Sequence, residues 1–159
     1  MRTVKLGLIG AGGIAQAHSS AISGIEGAEI VAVSDSIKAN AERTANRWNI
    51  PKVFDDYNEM LKIDEIEAVV VCTPTAQHAA PSIASMKAGK HVLCEKPMEA
   101  SLANATEMVR TSHETGKNLM IALKLRYTPQ VRKAKEIIND GILGDIYYAK
   151  TAMLRSNSI

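Results

Sequence analysis

The sequence predicts an α/β protein with a doubly wound parallel sheet and helices on both faces. Three observations carry that prediction. Short apolar segments alternate six times with segments of helical period up to residue 123, as strand–helix units of a parallel sheet do. Ala68 to Cys72, A-V-V-V-C, is apolar throughout, the mark of a strand buried on both faces. Val4 to Ala15, V-K-L-G-L-I-G-A-G-G-I-A, passes from an apolar run through a glycine cluster into a helical pattern.

The first strand is expected over Val4 to Ile9. Ile14, Ala17, Ala21, Ile22 and Ile25 then recur at helical spacing. Glu29 to Ser34 reads as a second strand ending at Asp35. A helix marked by Ala41, Ala45 and Trp48 follows, with Ser36 as the expected cap. Lys52 to Phe54 reads as a short strand, Asp56 to Lys62 as a small helix, and Ala68 to Cys72 as the fourth strand. Pro81 fits a helix only in its first turn, so that helix starts no earlier than about Gln77. Thr73 to Ala76 is left as loop, with Ile83, Ala84 and Ala88 in the helix and Gly89 as its stop. His91 to Cys94 is the fifth strand. Ser101 caps a helix carrying Leu102, Ala105 and Val109 inward to a stop at Gly116, and Asn118 to Leu123 is the sixth strand. Right-handed crossovers favour a Rossmann order for such a series.

The last segment departs from this alternation. Thr128 caps a helix with Pro129 first, Val131, Ala134 and Ile138 inside, and Gly141 at its end. Asp145 to Leu154 reads as one long strand without a following partner. The expected division is therefore a Rossmann domain over 1–123 and, over 124–159, the opening of an incomplete second α/β domain. Open strand edges recruit partners, so pairing of 145–154 with a second copy, or disorder of that segment, is an expectation.

The chain has 159 residues, 46% apolar and 23% charged, with a net charge of +2. That balance gives no argument for nucleic acid or membrane binding. One Trp and one Phe offer no stacking platform for bases. The longest apolar run is too short to span a bilayer, and the first strand follows Met1 too closely for a signal peptide. Cys72 and Cys94 are the only cysteines and have no metal-binding spacing, so buried thiols in a reducing cytoplasm are expected.

The glycine turn suggests chemistry. G-x-G-x-x-A over Gly10, Gly12 and Ala15 is a form of the dinucleotide fingerprint. Gly10 permits the turn, Gly12 keeps side chains off a pyrophosphate, and Ala15 lets the helix pack close. Gly13 and Ile14 open a helix whose N–H groups and dipole face the anion. Ordinary turns also carry glycines, so the motif alone is weak. Asp35 lies 20 residues past Ala15, at the end of the second strand. A carboxylate there accepts the ribose hydroxyls and repels a 2′-phosphate, which favours NAD over NADP; the alternative is a solvated turn aspartate. Thr73, Pro74, Thr75 and His78 follow the fourth strand, at the switch point where ligands bind; a plain strand-to-helix turn is the other reading. Glu95, Lys96 and Pro97 end the fifth strand. Lys96 can donate to a substrate oxygen, though spacing alone reads it as a surface lysine in a proline turn.

G-A-G-G-I-A, Asp35, C-T-P-T-x-x-H, G-K-H-V-L-C-E-K-P-M, L-R-Y-T-P and G-I-L-G-D-I together resemble the Gfo/Idh/MocA family of oxidoreductases. The resemblance covers essentially the whole chain. It implies an N-terminal Rossmann domain holding NAD(P) and the oxidation or reduction of sugars, inositols and related polyols. It implies that Lys96 contacts the reacting oxygen, that Glu95 helps hold the cofactor site, that the bond before Pro97 is cis, and that Arg126 lies near the cofactor. The family's second domain, which supplies the substrate pocket and a proton-transferring histidine, is not represented after Ile159. A stand-alone, non-catalytic dinucleotide module is the competing reading. A short-chain dehydrogenase would need a T-G-x-x-x-G-x-G turn and a Tyr-x-x-x-Lys pair, and neither is found.

Overall fold

A computed structural model of the protein describes residues 2–152. Six strands, β1 (Val4–Ile9), β2 (Ala28–Ser34), β3 (Lys52–Phe54), β4 (Ala68–Val71), β5 (His91–Cys94) and β6 (Leu119–Ile121), form one sheet. Every pairing is parallel and the order is β3-β2-β1-β4-β5-β6. The order reverses direction between β1 and β4, so the carboxyl ends of these two strands bound the crevice of a doubly wound sheet.

Helices α1 (Gly13–Ser23) and α2 (Lys38–Trp48) cover one face; α3 (Tyr57–Leu61), α4 (Ala79–Lys87) and α5 (Leu102–Thr115) cover the other. Alternate residues of each central strand feed the two cores. Leu8, Val33 and Val70 pack with Ala15, Ile22, Ala41 and Ala45, whereas Ile9, Val69, Val71 and Val92 pack with Met60, Met86 and Met108. Burial on both faces is why these strands read as unbroken apolar runs.

Several helix details differ from expectation. In α1 the buried residues are Ala15, Ser19 and Ile22, while Ile14 and Ile25 are exposed. In α5 they are Met108 and Thr111; Leu102 is 83% exposed and Val109 is also exposed. Small and polar side chains fill the close helix–sheet contacts, so the larger apolar residues do not mark the inward stripe. The cap of α2 is not Ser36: Ile37 holds that position, and Asp35 Oδ1 accepts its N–H at 2.9 Å. Thr75–Gln77, expected as part of loop or helix start, forms a single 3₁₀ turn before α4. Pro81 is the third residue of α4, inside the first turn as required. Asp56 and Ser101 cap α3 and α5.

Contacts divide the chain into Met1–Ala122 and Leu123–Ile159. In the second unit a 3₁₀ turn (Lys124–Tyr127) leads to α6 (Pro129–Asn139). Val131, Ala134 and Ile138, expected inside, are exposed, because the described part of this unit supplies no element to face them. Thr128 sits at the cap of α6 but its hydroxyl donates to Leu125 O instead of accepting from the helix. The long strand expected over 145–154 is not formed at 145–152, where no described segment pairs with it; a strand conformation needs a hydrogen-bonded neighbour. Leu154 lies outside the described residues. Among the described residues no helix is long and apolar enough to cross a membrane.

Candidate dinucleotide and active-site crevice

A crevice of about 860 Å³ opens at the carboxyl ends of β1, β2 and β4. Gly10, Gly12, Gly13, Ile14, Asp35, Thr73 and Pro74 line it. The exposure of Ile14 follows from this placement, and Ala15 lies fully buried behind it.

The glycines have different jobs. Gly10 has φ +88°, and a Cβ on it would meet the Cys72 carbonyl carbon and the Thr73 nitrogen at 2.8 Å. The turn after β1 is therefore pressed against the turn after β4 in a way only glycine allows. Gly12 and Gly13 have nothing within 4 Å of an added Cβ. Their backbone faces open space at the start of α1. No side chain caps that helix, and its first turn carries no acidic residue. The helix N-terminus thus keeps unsatisfied N–H groups and its positive end for an outside anion.

Asp35 is tied into the same turn. Its Oδ2 accepts the Ala11 N–H at 2.7 Å and its Oδ1 the Ile37 N–H. Oδ1 also takes a long contact from Asn40 Nδ2 at 3.5 Å, whereas Oδ2 retains a further acceptor site. The two bonds hold the carboxylate at the crevice wall, and no lysine or arginine lines that wall. Asn40, half-buried beside it, also lines the crevice and was not foreseen; no spacing in the sequence singles it out.

His78, read as either a cofactor-site residue or part of a plain strand-to-helix turn, is 1% exposed. Nδ1 lies 2.9 Å from Pro97 O, and Nε2 lies 2.9 Å from Thr73 O. Both nitrogens face main-chain carbonyls, of which the neutral ring donates to one, so the ring sits between the turn after β4 and the turn after β5. Thr73 itself stays at the crevice, its hydroxyl donating to Gln77 O. Thr75 is half-buried in the 3₁₀ turn.

Beyond β5, Glu95 is buried and Lys96 and Pro97 are exposed. The Lys96–Pro97 bond is cis, as the resemblance implies. Glu95 Oε2 accepts the Lys96 N–H at 3.0 Å, and Glu95 Oε1 lies 2.8 Å from His18 Nε2. His18, on α1, went unnoticed in the sequence: a single histidine in a helix gives no periodic signal, and its partner is 77 residues away. Glu99 was also missed. Burial pushes its carboxyl up, but N–H donation from Ala100 and Ala79 outweighs this and holds it below the usual range.

Cys72 and Cys94 are buried and free. Burial, with Glu95 nearby, pushes the Cys72 thiol up to about 12; burial pushes Cys94 up to about 11. Neither is poised as a nucleophile. Among the described residues no group of three or more His, Cys, Asp or Glu is placed to hold a metal. Arg126 lies exposed in the 3₁₀ turn of the second unit.

Residues 4–123 match the family model described as an oxidoreductase family with an NAD-binding Rossmann fold, Gfo/Idh/MocA. The chain is 35% identical to glucose-6-phosphate 3-dehydrogenase of Bacillus subtilis over 98% of its length and 43% of that protein. It is 34% identical to inositol 2-dehydrogenase of Rhizobium meliloti, over 91% of its length and 43% of that protein. A crystal structure of an NAD binding oxidoreductase from Klebsiella pneumoniae superposes with a TM-score of 0.83 at 31% identity, covering 89% of this chain and 40% of that one. The chain thus spans less than half the length of these relatives.

Proposed function

The chain belongs to the Gfo/Idh/MocA oxidoreductase family, and from that premise we propose that it is the cofactor-holding part of an NAD-dependent sugar or polyol dehydrogenase. The bound nicotinamide supplies the hydride chemistry. The chain's residues seat the dinucleotide and present a lysine to the substrate oxygen.

The observation that carries the reading is the joint placement of Asp35 and the uncapped start of α1 on one crevice. The bare backbone at Gly12 and Gly13 suits a pyrophosphate, and the free acceptor site on Asp35 Oδ2 suits an adenosine ribose hydroxyl. The crevice falls within the ~300–1,000 Å³ range of small-molecule sites. An anionic Asp35 repels a 2′-phosphate, which supports NAD over NADP. Thr73 and Pro74 form the opposite wall, with Thr75 in the turn behind them.

Lys96 is the residue we assign to chemistry. Exposed at the end of β5, its ammonium can donate to a carbonyl or carbinol oxygen and lower the charge that develops there. During oxidation it stabilises the alkoxide; during reduction it holds a proton for the product hydroxyl. Glu95 and Pro97 fix its peptide. Free, high-pKa thiols fit a reducing cytoplasmic setting.

Titration of NADH against the chain, followed by nicotinamide fluorescence, tests the reading. Saturable enhancement supports it. No binding at millimolar NADH would sink it.

A further inference from the structure

We propose that His18 is a positioning residue for Lys96, acting through the Glu95 carboxylate. The inference rests on the assignment of Lys96 made above.

The helix that opens the nucleotide seat and the strand that ends at Lys96 are not neighbours. α1 follows β1, and β4 stands between β1 and β5 in the sheet. The sheet alone leaves their loops linked only through that intervening strand. His18 spans the gap from the second turn of α1. Its Nε2 faces Glu95 Oε1 at 2.8 Å, and with a carboxylate as acceptor this nitrogen is the donor. The second oxygen, Oε2, accepts the backbone N–H of Lys96 at 3.0 Å.

The carboxylate therefore has one oxygen on the helix and one on the lysine peptide. A glutamate held at one oxygen only can rotate about its last bond, a broad and soft torsion. Held at both, it fixes the plane in which Lys96 N–H points. The far side of the lysine is secured separately, because the Pro97 carbonyl meets His78 Nδ1 at 2.9 Å. The Lys96 side chain itself is exposed. A backbone gripped on both sides beneath a free side chain is what delivering an ammonium to one point requires. His18 and Glu95 side chains are only 18% and 11% exposed, so water competes weakly for the bond.

Amide hydrogen exchange of the labelled chain without nucleotide tests this. His18→Ala is expected to speed exchange at the Lys96 amide by about tenfold, the loss of one charge-assisted bond's restraint. Gly10 and Cys72 amides, bonded within the core of the sheet, serve as fold controls and should stay protected. His18→Gln, which keeps a donor of similar reach, should restore most of the protection. Glu95→Ala should speed the Lys96 amide as well, and adding His18→Ala to it should change nothing further. An unmoved Lys96 amide in His18→Ala overturns the proposal, as does an effect that adds to that of Glu95→Ala. Should His18→Ala loosen the control amides too, His18→Asn, too short to reach Glu95, replaces it under the same criteria. NADH binding is titrated separately, so its failure strikes the proposed function and leaves this result readable.

Discussion

Gly10 stands against Cys72 so closely that a β-carbon on the glycine would lie 2.8 Å from the cysteine's carbonyl carbon. The obstacle is backbone, which has no rotamer to yield, and φ there is +88°. Gly10→Ala should therefore destabilise the fold by roughly 2–4 kcal/mol, measured as a lower urea midpoint with unchanged slope. Gly12 makes the opposite case. With φ −77° and nothing within 4 Å of a Cβ, Gly12→Ala should leave stability within about 0.5 kcal/mol. It should nonetheless weaken NADH about tenfold or more, because the methyl occupies space a pyrophosphate needs. Equal stability losses in the two variants would refute this division of labour.

Asp35 is expected to contribute to both structure and binding. Asp35→Ala removes the acceptors of the Ala11 and Ile37 N–H groups, so a stability loss of about 1–2 kcal/mol is expected. Its larger expected effect is on NADH, about 10- to 100-fold weaker, the usual worth of hydrogen bonds to a charged group. NADPH should lose less, since a repulsive charge leaves with the carboxylate. A titration in which NADH affinity is unchanged, on protein shown to be folded, would remove Asp35 from the site.

The thiols make a pH prediction. An acid whose folded pKa is raised is more protonated when folded, so stability falls with pH between the unfolded and folded values. For Cys72 and Cys94 the window opens near 9 and runs to about 12 and about 11. Tm should therefore hold steady through neutral pH and decline above about pH 9, with part of the decline absent in Cys72→Ala. Alkylation of either thiol at pH 8 should be slow until denaturant is added. Fast native alkylation would contradict their burial.

What was legible in the sequence follows from where each signal originates. Central strands such as Val69 to Val71 are buried on both faces, so their identity is fixed locally and shows as an apolar run. The glycine turn and Asp35 are read from spacing, because backbone approach and strand length set those distances. Helix orientation was less legible: Ile14 and Leu102 look like core residues at the correct period, yet small or polar residues, Ser19 and Thr111, fill the tight contacts against the sheet. His18 escaped for a different reason, and His78 was singled out without the contacts its ring makes. Their roles are defined by partners at Glu95, Thr73 and Pro97, and only the sheet order brings those loops together. Val131 and Ile138 promised a buried face that the described residues of their unit do not complete.

Trp48 gives a direct optical test of coupling between α2 and the glycine turn. It is the only tryptophan, and its Nε1 donates to Gln16 Oε1 at 2.8 Å. Gln16 Nε2 in turn donates to Thr44 Oγ1 at 2.9 Å, and that hydroxyl donates weakly to Ala11 O at 3.4 Å. The same Ala11 gives its N–H to Asp35. A dinucleotide seated on the turn therefore acts at one end of a chain of hydrogen bonds that terminates on the indole. NADH should quench Trp48 emission, both through this chain and by energy transfer, since indole emission overlaps the absorption of reduced nicotinamide. NAD absorbs no such light, so the change it causes isolates the hydrogen-bond path. Gln16→Leu should abolish the NAD-induced change while NADH still quenches. If NAD shifts the emission equally in Gln16→Leu, the path runs elsewhere, and the polar residues linking α1 to α2 serve packing alone.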